Sequence, residues 1–121
     1  VAWVSARDSL REVVIKMTEL PLGAACVVES DGSLVGLITD GDLRRALRVH
    51  DDIRGLHAAD VMTAQPVTIS CTALLRDALR LMEERPRQIS VLPVLDEQGH
   101  LCVGLIRLHD IYHVDRSDAV G

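Results

Sequence analysis

The chain carries one pattern twice, and two similar halves within 121 residues share a core more readily than they fold apart. Leu10, Val13, Val14 and Met17 mark a helical stripe, and Leu75, Ala78, Leu79 and Met82 repeat it 65 positions later. Each stripe leads to an apolar strand, a glycine turn and a matching tetrapeptide, Val35-Gly36-Leu37-Ile38 and then Val103-Gly104-Leu105-Ile106. Six residues beyond the glycine of each tetrapeptide stands an aspartate, Asp42 in the first copy and Asp110 in the second. Upstream the spacing drifts: Met17 to Gly32 is 15 positions and Met82 to Gly99 is 17. Those differences fall in loops, where added residues cost little. The spacing that stays fixed leads to the aspartates. Two half-domains packed together create a shared cleft, and such a cleft serves binding more often than catalysis.

Local signals set the order of elements. Ser9 and Glu12 form an S-x-x-E capping signal for a first helix that runs to about Thr18, ahead of Pro21. Ala24 to Glu29 reads as a buried strand, Asp31-Gly32 as a hairpin turn, and Leu34 to Ile38 as the returning strand. A second helix is expected from Gly41-Asp42 to about Arg48, and a helical turn over 59–63. In the second copy a helix over 73–85 stops at Pro86, strands follow at 89–95 and 101–106, and a closing helix spans 109–114. Val1 to Val4 and Val67 to Ile69 are the leading strands. The expected architecture is α+β, two βαββα repeats packed by their sheets with pseudo-two-fold symmetry and two clefts. The first repeat covers residues 1–50, the linker 51–60 and the second repeat 61–116.

Composition removes several function classes. A net charge of −5 argues against a general binder of nucleic-acid backbones. One Trp, one Tyr and no Phe leave no stacking platform for single strands. No apolar run approaches the roughly 20 residues that span a bilayer, and no signal peptide is visible. Cys26, Cys71 and Cys102 make no CxxC pair and read as reduced packing residues of a cytoplasmic protein. His109 and His113 lie four apart, but no third ligand accompanies them, so no metal site is expected. No Ser/His/Asp or Cys/His arrangement suggests catalysis. The chain starts at Val1 and reads as a piece of a longer protein.

The repeated strand–helix junction carries the chemistry. In the first copy, Thr39 is delivered to a helix N-terminus, where backbone N–H groups and the dipole favour an anion. Gly41 permits close backbone approach, and ionised Asp42 suits paired hydroxyls such as those of a ribose. Arg44 and Arg45 add local positive charge. The plainer reading is that Asp40 and Asp42 cap the helix. On spacing alone that reading is the stronger. Recurrence of the whole junction shifts the weight towards a site.

Both halves resemble CBS domains, which occur in tandem as Bateman modules. The resemblance rests on Val35 to Leu43 in the first half, with Ala24 to Glu29 and Asp31-Gly32. In the second half it rests on Asp60-Val61-Met62-Thr63 with Pro66, on Leu92-Pro93-Val94-Leu95-Asp96 with Gly99, and on Val103 to Ile111. It implies a phosphate contact at Thr39 and a ribose contact at Asp42, with Met62, Thr63 and Pro66 as walls for a base. The second half departs from the pattern. Arg107 stands where a Ser or Thr is expected, although Asp110 keeps its place beside His109, a candidate pocket-edge donor. Arg107 suits a phosphate or carboxylate more strongly than a hydroxyl does.

A narrower resemblance is to the C-terminal Bateman module of bacterial arabinose 5-phosphate isomerases, the sugar isomerases that feed lipopolysaccharide synthesis. It rests on Thr39 to Arg45, Ala59 to Thr63, Leu81 to Glu84 and His109-Asp110-Ile111. It implies a non-catalytic regulatory fragment, separated from an N-terminal sugar-isomerase domain. The implied ligand is a nucleotide or nucleotide-sugar, foremost the pathway end product CMP-Kdo. The exposed faces of Bateman modules pair, so the wider resemblance implies a homodimer, and no cofactor is expected. Adenine nucleotides are the rival ligands, and a ligand-free oligomerisation module is the rival role.

Overall fold

A computed structural model describes residues 1–19, 23–83 and 89–107. In chain order the elements are β1 (Ala2–Val4), α1 (Leu10–Glu19), β2 (Ala24–Val28), β3 (Leu34–Thr39), α2 (Asp40–Val49), α3 (Ala58–Val61) and β4 (Thr63–Ala64). The second half contributes β5 (Ile69–Ser70), α4 (Leu75–Glu83), β6 (Val91–Leu95) and β7 (Cys102–Arg107). One sheet has the order β1-β2-β3-β4 and the other β5-β6-β7. In both, the leading strand runs parallel to the central strand and the hairpin partner antiparallel. The α+β repeat expected from the sequence is therefore present, with the closing helix at 109–114 outside the described residues.

Alternation along the strands explains the layering. Side chains of one strand point to opposite faces, so a strand buried on both faces can serve two cores. On β2 and β3, Ala25, Val27 and Ile38 face the helices and pack with Leu10, Val13 and Met17 of α1. Ala24, Cys26 and Leu37 face the other way, onto the second sheet. The second half repeats the division. Leu92, Val94 and Ile106 pack with Ala78 and Met82 of α4, while Val91 and Leu105 join the inter-sheet layer. That layer is built from small and medium side chains, which lets the sheets approach closely. Backbone also ties the halves: Cys102 N–H donates to Gly32 O at 3.1 Å, and Ser33 bridges to Leu101.

The hairpin turn at Asp31-Gly32 forms as its residues suggest. Ser33 N–H donates to Asp31 Oδ1 at 2.9 Å, and Gly32 takes φ of +91°. The Ser9 signal is also realised, with Glu12 N–H donating to Ser9 Oγ at 3.2 Å. β4 was not anticipated. It pairs antiparallel with β3 through Gly36↔Ala64 and Leu37↔Thr63, so the segment ahead of the second half extends the first sheet. α3 goes with it, since Ala58 and Val61 lie in the first core.

The glycine of the first tetrapeptide now has a cause. A Cβ on Gly36 would overlap Met62 Sδ, with Met62 Cγ at 2.9 Å and Thr63 O at 3.1 Å. At Gly104 the nearest atom would be Val94 Cβ at 3.9 Å, an ordinary contact. The same glycine is sterically required in one copy and permitted in the other. Gly36→Ala should therefore lower stability by about 1–3 kcal/mol, as overpacking does. Gly104→Ala should stay within about 0.5 kcal/mol. Urea denaturation of both variants compares them directly, and equal costs would refute the packing of Met62 on β3.

Candidate functional site

The site begins where β3 ends. Thr39 is the N-cap of α2, with extended φ and ψ of −110° and 169°. Its Oγ1 accepts from Asp42 N–H at 3.3 Å, and its own N–H donates to Asp42 Oδ2 at 2.9 Å. The pair is a reciprocal capping box. Thr39 Oγ1 also approaches Asp42 Oδ2 at 3.1 Å, while Asp42 Oδ1 accepts from Arg45 Nη1 at 2.9 Å and from Thr63 Oγ1 at 3.3 Å. Asp42 is 4% exposed, the only buried charged side chain among the described residues. Burial of a carboxylate is tolerable because donors meet both oxygens. The capping reading of Asp42 is thus realised in the geometry, and a diol would have to displace one of these donors.

Thr39 also faces a cleft of about 430 Å³ between the two halves, with Gly23, Asp40, Gly41, Arg44, Ser90, Val91 and Arg107. Registers explain why Thr39 and Arg107 meet there. Thr39 is opposite Ala24 at one end of its hairpin, and Arg107 is opposite Val91 at the corresponding end of the other. The residues that differ between the copies therefore share one cleft. Among the described residues two guanidiniums, Arg44 and Arg107, line the cleft against one carboxylate, Asp40. Arg44 Nη2 lies 3.9 Å from the position a Cβ would take on Gly41. The helix start is already partly used, since Asp40 N–H donates to Gly23 O at 3.2 Å. Anion binding here would lean on the arginines more than on backbone N–H groups.

The remaining candidates separate. Asp42 and Met62 line a second cleft of about 250 Å³, on the α2–α3 side, with Arg45, His50 and Asp60. Thr63 reaches the site only through its bond to Asp42, and Pro66 lines none of the three cavities described here. His109 and Asp110 lie outside the described residues. Gly23, Ser90 and Val91 were not singled out from the sequence. Strand alignment of the repeats would have found Gly23 and Ser90, because each directly precedes its central strand.

A larger cavity, about 640 Å³, lies elsewhere, between α1 and residues 53–57. Leu10, Val14, Ile15, Ile53 and Leu56 make it apolar, and its Arg54 is held by Asp52 at 3.1 Å. Size alone does not make it the site, because polar groups do not converge there. Among the described residues no group of three or more His, Cys, Asp or Glu could hold a metal ion, and no helix is long and apolar enough to cross a membrane.

The CBS domain family matches residues 1–49 and 58–117. Arabinose 5-phosphate isomerase KdsD of Yersinia pestis is 35% identical over 111 residues, which is 92% of this chain and 33% of that protein. The chain thus spans about a third of the length of the curated relatives it matches. In fold it is similar to Arabidopsis thaliana CBSX2 in complex with AMP, with a TM-score of 0.84 at 21% identity, covering 98% of this chain and 90% of that one. It is likewise similar to the AMP complex of PAE2072 from Pyrobaculum aerophilum, with a TM-score of 0.78 at 22% identity, covering 90% and 81%. The chain belongs to the CBS domain family and is a tandem pair of those domains.

The capping box makes a prediction about stability. Asp42→Ala should cost about 2 kcal/mol and Thr39→Ala about 1 kcal/mol, the scale of a lost N-cap and of orphaned buried donors. Urea midpoints measure both. Wild-type stability in Asp42→Ala would show that the buried carboxylate does not hold the β3–α2 junction.

Proposed function

We propose that this CBS pair is a regulatory module that binds a nucleotide or nucleotide-sugar, with the ligand's phosphate in the cleft between the halves. One observation carries the reading: Thr39, Gly41, Arg44 and Arg107 converge on a cavity of about 430 Å³ that both halves line. Guanidinium groups bind phosphate and carboxylate oxygens through paired N–H donors. A chain of net charge −5 that concentrates two arginines at one cleft has local means to attract an anion. The AMP complexes of two fold relatives support a nucleotide as the ligand class.

The likeness to KdsD supports a finer reading. The parent protein would be an arabinose 5-phosphate isomerase whose N-terminal sugar-isomerase domain performs the reaction in the cytoplasm. This module would sense CMP-Kdo as the end product of lipopolysaccharide-sugar synthesis. Its phosphate and its sugar carboxylate would divide between the two arginines, and the ribose would compete with Arg45 or Thr63 for Asp42. Met62, on the same side as Asp42, would border the base, and Thr63 and Pro66 complete that proposed wall. His109 and Asp110 are proposed to serve the second half in the same way.

A second reading has its own observation. Val14 and Ile15 on α1 and Leu47 and Val49 on α2 are exposed apolar side chains, which suits a homodimer of the parent enzyme. The two readings diverge in one experiment. Thermal shift with CMP-Kdo, CMP, AMP, ATP and S-adenosylmethionine should give stabilisation by a nucleotide, largest for CMP-Kdo. Arg44→Ala and Arg107→Ala should each weaken that binding about tenfold or more, from the loss of a charge-assisted contact. No stabilisation by any of them at millimolar concentration would leave assembly alone as the role.

A further inference from the structure

Three cysteines lie far apart in sequence, and the fold brings two of them together. Cys26 lies in the middle of β2 and is 0% exposed; Cys102 opens β7 and is partly exposed. Both belong to the inter-sheet layer with Ala24, Leu37 and Val91. Strict alternation would turn Cys102 to the same face as Gly104 and Ile106, towards α4. A register shift opposite Val94 and Leu95 re-aims it at the facing sheet. The hydrogen bond from Cys102 N–H to Gly32 O holds the two halves close at this point. The two side chains pack into the same layer, and the Cys102 thiol donates to Gly104 O at 3.6 Å. Cys71, the third, is exposed on the turn after β5.

We propose that Cys26 and Cys102 are a reversible redox pair, closing to a disulfide across the two sheets when the protein meets a peroxide. Cys102 is the more exposed of the two residues and Cys26 is buried, so Cys102 is the one assigned to meet the oxidant. The Cys102 thiolate attacks one oxygen of hydrogen peroxide. An S–O bond forms, the O–O bond breaks, and the departing hydroxide takes a proton to become water. Cys102 is then a sulfenic acid, oxidised by two electrons. Cys26 sulfur attacks it, the S–S bond forms, the S–O bond breaks, and hydroxide leaves as water with the Cys26 proton. Two thiols and one peroxide become one disulfide and two waters. A dithiol reductant returns both thiols by exchange.

The local chemistry suits those roles. The hydrogen bond from Cys26 holds the Cys102 thiol down, to about 7, against a burial effect in the opposite direction. Cys26 itself is pushed up, first by that hydrogen bond and then by burial, so it keeps its proton until it attacks. Among the described residues Cys26 is the titratable side chain that acts on Cys102; the other influences are the backbones of Gly104 and Val94. The cross-link would tie the start of β7 to the middle of β2, and β7 reaches the cleft at its other end, at Arg107.

The test uses the Cys71→Ser protein, treated in its native state with hydrogen peroxide, then alkylated and mapped by mass spectrometry. Cys26 and Cys102 should appear as one linked peptide pair within a single chain, and dithiothreitol should release both. The oxidised protein should also unfold at a higher temperature than the reduced one. Cys102 recovered as sulfinic or sulfonic acid with Cys26 alkylated after unfolding would overturn the proposal, and so would links between chains only. A second measurement needs no further variant. The rate of thiol loss should climb with pH through about 7 and level about a unit or more above it, where the thiolate fraction saturates. A rate that keeps climbing towards pH 9 would remove Cys102 as the attacking thiol.

Discussion

The close approach of the two sheets governs the rest of this molecule. Ala24, Cys26 and Leu37 on one side and Val91, Cys102 and Leu105 on the other form a layer without an aromatic ring. Larger residues there would hold the sheets further apart and weaken packing on both faces. Because the layer is thin, the ends of the two hairpins converge. Thr39 and Arg107 consequently open onto one cavity, and two cysteines 76 positions apart become neighbours. The sheet-to-sheet layer thus positions both the candidate ligand cleft and the candidate redox pair.

The strand–helix junction adds a second level of order. Asp42 joins the end of β3, the start of α2 and the beginning of β4 through Thr39, Arg45 and Thr63. A buried carboxylate with several donors rigidifies its surroundings, and losing any partner exposes the cost of its burial. Thr39 stands in both settings, since its hydroxyl caps the helix while the residue also lines the cleft. A ligand that engaged Asp42 would trade against the capping network. Such a trade would be a physical route from binding to a change in the first half, and it would make Asp42 variants poor reporters of binding alone.

Much of the fold was legible in the sequence because its cues are local. The helical stripes of α1 and α4, the Asp31-Gly32 turn and the apolar runs of β2 and β6 each depend on residues within a few positions. What was not legible depends on contacts across the chain. Thr63–Ala64 is too short for any strand pattern and exists as β4 because β3 has an edge that Gly36 leaves open for Met62. The cleft was read in part. Thr39, Gly41 and Arg107 were singled out, yet their meeting in one cavity follows from the hairpin registers, which no spacing along the chain reveals. The pairing of Cys26 with Cys102 was hidden for the same reason, and it rests further on a one-residue register shift.

The central claim is that the anionic part of a nucleotide lies between the halves at Thr39 and Arg107. Amide chemical-shift mapping during a titration with CMP, and in parallel with AMP, tests it most directly. The account predicts saturable shifts concentrated at Gly23, at residues 39–41, at Ser90 and Val91, and at Arg107. Shifts confined to the apolar groove around residues 53–57, or none with either nucleotide, would contradict it.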